Sequence, residues 1–329
     1  MVKVIPLLCI LTSAILISGC TGAQSPSPIT VNNTGVNAFN KSFNDIADSL
    51  NILQNGAVYV RYSDMKDDPQ LGQFLTTYYW STLPSPQLFG ASALRDTLVV
   101  YPTYWFGDIT LPGGGSVVSL TDFGNATLNQ SYPQVYTTLK GNRIPLREIY
   151  SNYYFSPNTS PVVSGTQNAT VGTLYSMAGV TLFKTAYDGY SGLFNKLNAH
   201  HVTINGMTLE AVGDNTTGYN ATFPISNINL TLEQFYAGIG PTKYTVVSNN
   251  STYTLYNYVF VIYDNQAPST NDSLSLFMYE SRLLGMGFSD YNIQIYGNYI
   301  ITQARAPLNV CLNNMESWGF MDYQANPVQ

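Results

Sequence analysis

The chain has 329 residues, 13 of them Lys or Arg and 19 Asp or Glu, for a formal charge of -6. Its cations are scattered rather than clustered, which excludes a phosphate-binding surface and nucleic acid as a partner. Charged residues make up 10% against 45% hydrophobic ones, with 26 Tyr, so a disordered chain is excluded and a folded one with a neutral polar surface is expected.

Lys3 precedes an uncharged run from Val4 to Leu16. This run is shorter than the roughly 20 apolar residues of a permanent spanning helix, and it matches the apolar core of a secretory signal. The next residues, Ile17-Ser18-Gly19-Cys20, resemble the lipobox of a lipoprotein precursor. The resemblance implies a signal peptide at 1–19 and a lipid on the Cys20 thiol. Left uncleaved, the segment would be an anchor helix, and either outcome puts the remainder outside the cytoplasmic membrane. Cys9 leaves with the signal and Cys20 is acylated, so Cys311 has no intrachain partner and reads as a small buried hydrophobe. Residues 20–37 form the lipidated cysteine and a flexible tether without apolar period.

Phe39, Phe43, Ile46, Leu50 and Leu53 fall at helical spacing and predict a helix ending near Asn55-Gly56. A strand follows at Ala57–Tyr62, then a helix from Asp67-Asp68-Pro69 through Tyr78. Asp96–Trp105 reads as a strand cut by Pro102, and Pro112–Gly115 as a turn into a strand at Ser116–Leu120. That triple glycine lacks the Lys-Ser/Thr of a phosphate loop. Residues 158–172, rich in Ser, Thr and Pro, are expected to link an N-terminal part, 38–157, to a C-terminal part, 173–329. Thr173–Ala199 predicts two short helices broken at Asp188-Gly189. Val202–Val212 predicts a hairpin centred on Asn205-Gly206. A brief helix at Thr231–Tyr236 precedes the longest strand, Thr252–Asp264. A helix at Ser273–Gly285 and a hairpin across Tyr291–Gln303, turning at Gly297-Asn298, complete the pattern. The fold class is α+β: a mixed or antiparallel sheet with helices packed on one face, divisible into two subdomains.

Asn-x-Ser/Thr sequons begin at Asn32, Asn40, Asn125, Asn129, Asn158, Asn168, Asn215, Asn220, Asn229, Asn249, Asn250 and Asn271. Each requires a surface position to be used. None begins between Asn51 and Phe123 or after Asn271, which predicts core elements there.

Chemical motifs are few. His200 and His201 are the only histidines; neighbours on a strand face opposite ways, so no shared metal is expected. Asp64, Asp67 and Asp68 lack the glycine and distal Glu of a calcium loop and read as a solvated helix start. In Tyr187-Asp188-Gly189-Tyr190-Ser191-Gly192, Tyr187, Asp188 and Tyr190 are candidates for a small carbohydrate-contacting loop, with a turn between helices as the plain alternative. There is no Gly-x-Ser-x-Gly elbow and no zinc triad, and no catalytic residue or cofactor is assigned. A polysaccharide-acting enzyme would need a carboxylate pair drawn from distant segments.

Ser275-Leu276-Phe277 through Ser281-Arg282-Leu283-Leu284-Gly285-Met286-Gly287-Phe288, then Tyr291-Asn292-Ile293 and Gly297-Asn298-Tyr299-Ile300, resemble the extracellular soluble domain of archaeal oligosaccharyltransferase catalytic subunits. Gly56-Ala57-Val58-Tyr59-Val60 is similar to the strand that follows that family's membrane domain. The family's Trp-Trp-Asp-Tyr-Gly motif and membrane helices are absent, so the resemblance implies at most an inactive companion of the glycosylation machinery. The expectation is a lipid-anchored, N-glycosylated protein on the outer face of the cytoplasmic membrane, archaeal in style. Its expected role is non-catalytic binding or envelope assembly, with the membrane and envelope proteins or glycans as partners. A surface poor in charge also changes little when carboxylates protonate, which suits an acidic setting, although surface-layer proteins at neutral pH share it.

Overall fold

Strand-forming residues dominate the described part of the chain. In the computed structural model, which describes residues 39–78, 86–101, 116–139, 142–179, 184–202, 207–214, 231–248 and 251–318, they build an antiparallel sheet of 12 strands. The elements in chain order are α1 Ile46–Ile52, β1 Tyr59–Asp64, α2 Pro69–Tyr78, α3 Pro86–Phe89, β2 Arg95–Tyr101 and β3 Ser116–Asp122. There follow β4 Gln134–Leu139, β5 Asn142–Tyr150, β6 Tyr153–Ser156, β7 Val162–Thr166, α4 Gln167–Met177 and α5 Ala186–Ala199. The chain continues through β8 Leu209–Asp214, β9 Leu232–Ser248, β10 Ser251–Asp264, α6 Thr270–Gly285, β11 Ser289–Tyr296, β12 Tyr299–Ala306 and α7 Leu308–Ser317. Across the sheet the order is β11-β12-β10-β9-β8-β1-β2-β3-β7-β6-β5-β4. The fold is α+β with an antiparallel sheet, as the element pattern predicts.

Helices cover both faces rather than one. Alternate residues of the central strands enter two different cores: Tyr59, Leu209, Phe235, Tyr258 and Phe260 pack with α2, α6 and α7, while Val60, Val212, Tyr236, Val259 and Val261 pack with α1, α4 and α5. The physical cause is legible in β10. Its run Tyr258-Val259-Phe260-Val261-Ile262 is apolar at every position, as a strand buried on both sides must be, whereas one-sided burial gives alternation.

The expected linker at 158–172 is also corrected. It holds β7, which pairs with β3 and β6, and the first turns of α4. Val162, Val163 and Thr166 supply strand propensity, and the Ser and Gly between them let β7 lie close to β3. The N-terminal and C-terminal parts are halves of one sheet, joined where β1 pairs β8 from Tyr59↔Gly213 to Ser63↔Leu209.

Other local readings divide by mechanism. Asp45 caps α1, accepting from the Asp48 amide at 2.7 Å, so this helix starts after Phe43. Thr231–Tyr236, expected to be helical, enters β9, which places Phe235 and Ala237 on one face and Tyr236 on the other. At 17 residues β9 also exceeds the 14 of β10. The break in the 173–199 helical stretch falls before α5, not at Asp188-Gly189. The hairpin at Tyr291–Gln303 is present as β11 and β12, with Gly297 at φ 60° in its turn. The Pro112–Gly115 and Asn205-Gly206 turns lie outside the described residues; Val202 closes α5 by donating to Leu197 O, and β8 pairs with β1 and β9.

A buried polar network locks α6 and α7 to the sheet. Tyr258 donates its hydroxyl to Asn314 Oδ1 at 2.9 Å, and Asn314 Nδ2 donates to the Tyr279 hydroxyl at 2.9 Å. Trp318 Nε1 donates to that same hydroxyl at 3.0 Å. Asn314→Leu would strip the acceptor from Tyr258 in a dry layer, so urea unfolding should show a loss of about 2–4 kcal/mol. Asn313→Leu, at the exposed neighbouring position, should shift the midpoint little.

Candidate functional site

Cys20, with Asn32, Asn215, Asn220, Asn229, Asn249 and Asn250, lies outside the described residues. Among the described sequons, Asn40, Asn125, Asn158 and Asn271 are exposed, while Asn129 and Asn168 are half-buried. Asn129 Oδ1 accepts from the Ser131 amide at 3.0 Å. Asn168 is the second residue of α4, where the sequon's Thr170 is fully buried, so a glycan at that position would have to be added before α4 packs.

The carbohydrate-loop candidates prove to be the first turns of α5. Asp188 Oδ2 accepts from the Thr185 amide at 3.0 Å, an N-terminal capping contact. Tyr190 is buried and donates to Ala57 O at 2.9 Å, and Tyr187 stacks on Phe194 at 5.5 Å. All three side chains have structural partners, and they stand on a helix rather than on the expected loop. Asp-Gly looked like a helix break, but its Asp is a cap.

His200 and His201 close α5 instead of lying on a strand. The His200 ring stacks on Tyr296 at 3.6 Å, and His201 sits at φ 56°. Among the described residues no three His, Cys, Asp or Glu side chains are arranged to hold a metal. Asp64 and Asp68 are buried rather than solvated. Asp64 Oδ2 accepts from Arg95 Nε at 2.8 Å, and Asp68 Oδ1 accepts from the Leu71 amide at the start of α2. Cys311 is buried, its thiol pointing to Ala306 O at 3.7 Å, and burial pushes its pKa up. An unreactive thiol is the result.

A pocket of about 290 Å³ opens between the end of β3 and the turn before β7, with Asp122, Thr127, Gln130, Thr159 and Ser160 on its walls. Much of this lining is already engaged. Asp122 Oδ1 accepts from the Gly124 amide at 2.7 Å, Gln130 Oε1 from Arg147 Nη2 at 3.0 Å, and Thr159 Oγ1 donates to Ser156 O at 3.2 Å. The pocket offers hydroxyls and a carboxylate edge to a small polar molecule such as a sugar, but it contains no acid and base poised for proton transfer.

Sequence reading missed the buried acids. Glu210, fully buried on β8, accepts from the Tyr236 hydroxyl at 3.0 Å and the Ile46 amide at 3.1 Å. Desolvation raises it to about 8, and these two donated bonds only partly offset that. Asp96, on the opposite face of the sheet, accepts from Thr121 Oγ1 at 2.9 Å. Burial raises it to about 7 against the opposing pull of Thr121 and the Arg61 charge. At the end of β10 neither oxygen of the buried Asp264 has a hydrogen-bond partner. Burial, then the nearby Asp272 and Glu233, raise it to about 7. A signal existed: Leu209-Glu210-Ala211-Val212 sets an acid inside an apolar run.

No family model and no curated protein matches the chain. Among solved structures, crystal forms I and III of the treponemal protein TP0453 align with TM-scores of 0.42 and 0.40. Identities are 11% and 12%, over 82% of this chain and 96% and 97% of theirs. Likeness at that level carries no argument about function, which rests on the chain's own residues.

Proposed function

We propose that this chain is a lipid-anchored, N-glycosylated protein on the outer face of the cytoplasmic membrane, with a binding or envelope-assembly role rather than a catalytic one. The observation that carries the reading is Ile17-Ser18-Gly19-Cys20 at the end of an uncharged run headed by Lys3. Exposed sequons at Asn40, Asn125 and Asn158 support the glycan coat. The acids with raised pKa values support a non-catalytic role, because Asp96 and Glu210 are sealed between sheet and helices where no substrate reaches. Exposed Tyr136 and Tyr150 offer ring faces to glycans or envelope proteins at small desolvation cost.

Mass spectrometry of the native protein tests the reading directly. The expected mature chain begins at Cys20, carries an acyl mass there and bears glycans at Asn40, Asn125 and Asn158. An intact Met1 terminus with a free Cys20 thiol would sink the anchor, and bare asparagines would remove the coat. Cys20→Ser should move the protein from the membrane to the soluble fraction, or leave it as an unprocessed precursor.

A further inference from the structure

Helix α6 is apolar on two opposite sides. Leu276, Tyr279 and Leu283 are buried against the sheet, and Trp318 of the C-terminal region packs on Tyr279. Away from the sheet, Leu274, Phe277, Met278 and Leu284 are 59%, 64%, 57% and 59% exposed, and Met286 at the C-cap is 40% exposed. At about 100° per residue these four helical side chains share an arc of roughly 120°. An outward apolar stripe of this kind marks an interaction surface.

We propose that this stripe docks α6 onto the lipid bilayer, at the depth of headgroups and upper acyl chains. The occupant follows from the chain that precedes the described residues, and the inference rests on the lipid-anchor reading. About 18 residues separate Cys20 from Phe39, with an extended reach of roughly 60 Å. The radius of gyration of a domain this size is about 20 Å, so the tether lets any face meet the bilayer. Tethering converts a weak apolar contact into an intramolecular one at high effective concentration.

Side-chain chemistry favours lipid over a protein partner. The stripe carries none of the Trp, Tyr or Arg that dominate protein hot spots, in a chain with 26 Tyr, and is built on the Leu and Phe that interfacial helices bury in lipid, with Met beside them. Anionic headgroups are not needed either. The chain carries -6, and α6 has one cation, Arg282, against Asp272 and Glu280. Docking therefore runs on apolar burial and should be insensitive to salt. Asn271 lies one turn ahead of Leu274, so docking also predicts that this sequon stays bare.

The test uses the mature acylated chain. There Cys9 has been removed, Cys20 is blocked and Cys311 is buried, so Phe277→Cys introduces the single reactive thiol. It is labelled with an environment-sensitive fluorophore and mixed with neutral phosphatidylcholine vesicles, with Asn125→Cys as the exposed control. The expected result is a blue-shifted position-277 label, quenched by lipid-borne quenchers at low and high salt, with the control unchanged. Phe277→Asp with Leu284→Asp should lower partition of a weakly held, deacylated chain by at least about tenfold.

Vesicle flotation reports the anchor separately. Protein that floats while the position-277 label stays water-like overturns stripe docking and leaves the anchor standing. Protein that does not float overturns the anchor, and docking with it. A blue shift without vesicles that tracks protein concentration and a doubled mass would assign the stripe to a second copy and overturn the proposal. So would a glycan at Asn271.

Discussion

Unfolding is expected to require more heat or urea at pH 4 than at pH 8, the reverse of the usual acid sensitivity. The sign follows from Asp96, Glu210 and Asp264, whose carboxyls are raised in the folded state to about 7, 8 and 7. An acid with a raised folded pKa contributes its full stability below the unfolded value, near 4, where both states are protonated. Between there and the folded pKa the unfolded chain ionises first, and that contribution is lost. For Asp96 or Glu210 the loss is about 4 kcal/mol by pH 8, comparable to a large part of a domain's stability. Groups facing each acid are fixed by the fold: Thr121 and Arg61 around Asp96, the Ile46 amide, Tyr236 and Asp45 around Glu210, and Asp272 and Glu233 beside Asp264.

Glu210→Gln provides the internal check. The amide carries no charge at any pH, so the variant should match the parent near pH 4 and exceed it at pH 8, flattening the profile. A parent more stable at pH 8 than at pH 4 would contradict the ionisation account. A flat slope would place the three acids outside the folded-state balance.

Two glycines should respond to alanine with opposite signs. A Cβ on Gly165, in β7, would sit 2.3 Å from Val117 O and 2.7 Å from Val118 Cα, both backbone atoms of β3. Neither can yield without parting a pair the sheet depends on, Val118↔Gly165, and the residue sits at φ 157°. Gly165→Ala should cost about 3 kcal/mol or more, combining overpacking with backbone strain. By contrast, Gly192 lies exposed within α5 with nothing near its would-be Cβ. Gly192→Ala should add up to about 1 kcal/mol through helix propensity alone. Urea titrations of both variants decide it; destabilisation at 192 equal to that at 165 would mean that local sterics are not the cause.

Local chemistry explains which elements were legible. Helix α2 and the β11–β12 hairpin each carry their own signal, Asp-Asp-Pro at a start and Gly297 in a turn, whereas α6 starts at Thr270, three residues before the Ser273 expected from its apolar period, because Ser269 caps it with Asp272. Where reading failed, a residue had two meanings and a distant partner chose between them. Asp188-Gly189 punctuates a loop or caps a helix; Leu232–Tyr236 suits either period until β8 and β10 flank it. Ser, Thr and Gly at 158–172 read as a linker because only the backbone of β3 explains why small residues are required there. Buried acids were hidden for a related reason: Glu210 is costly until Tyr236 and the start of α1 close over it.

The seam between β1 and β8 sets the timing of assembly. One long side of β1 stays an open edge until its partner, 209–214, has been synthesised. Contacts so distant along the chain form slowly. If the chain is exported as proposed, it must remain unfolded in transit, and the topology then withholds this central seam until residues 209–214 have followed.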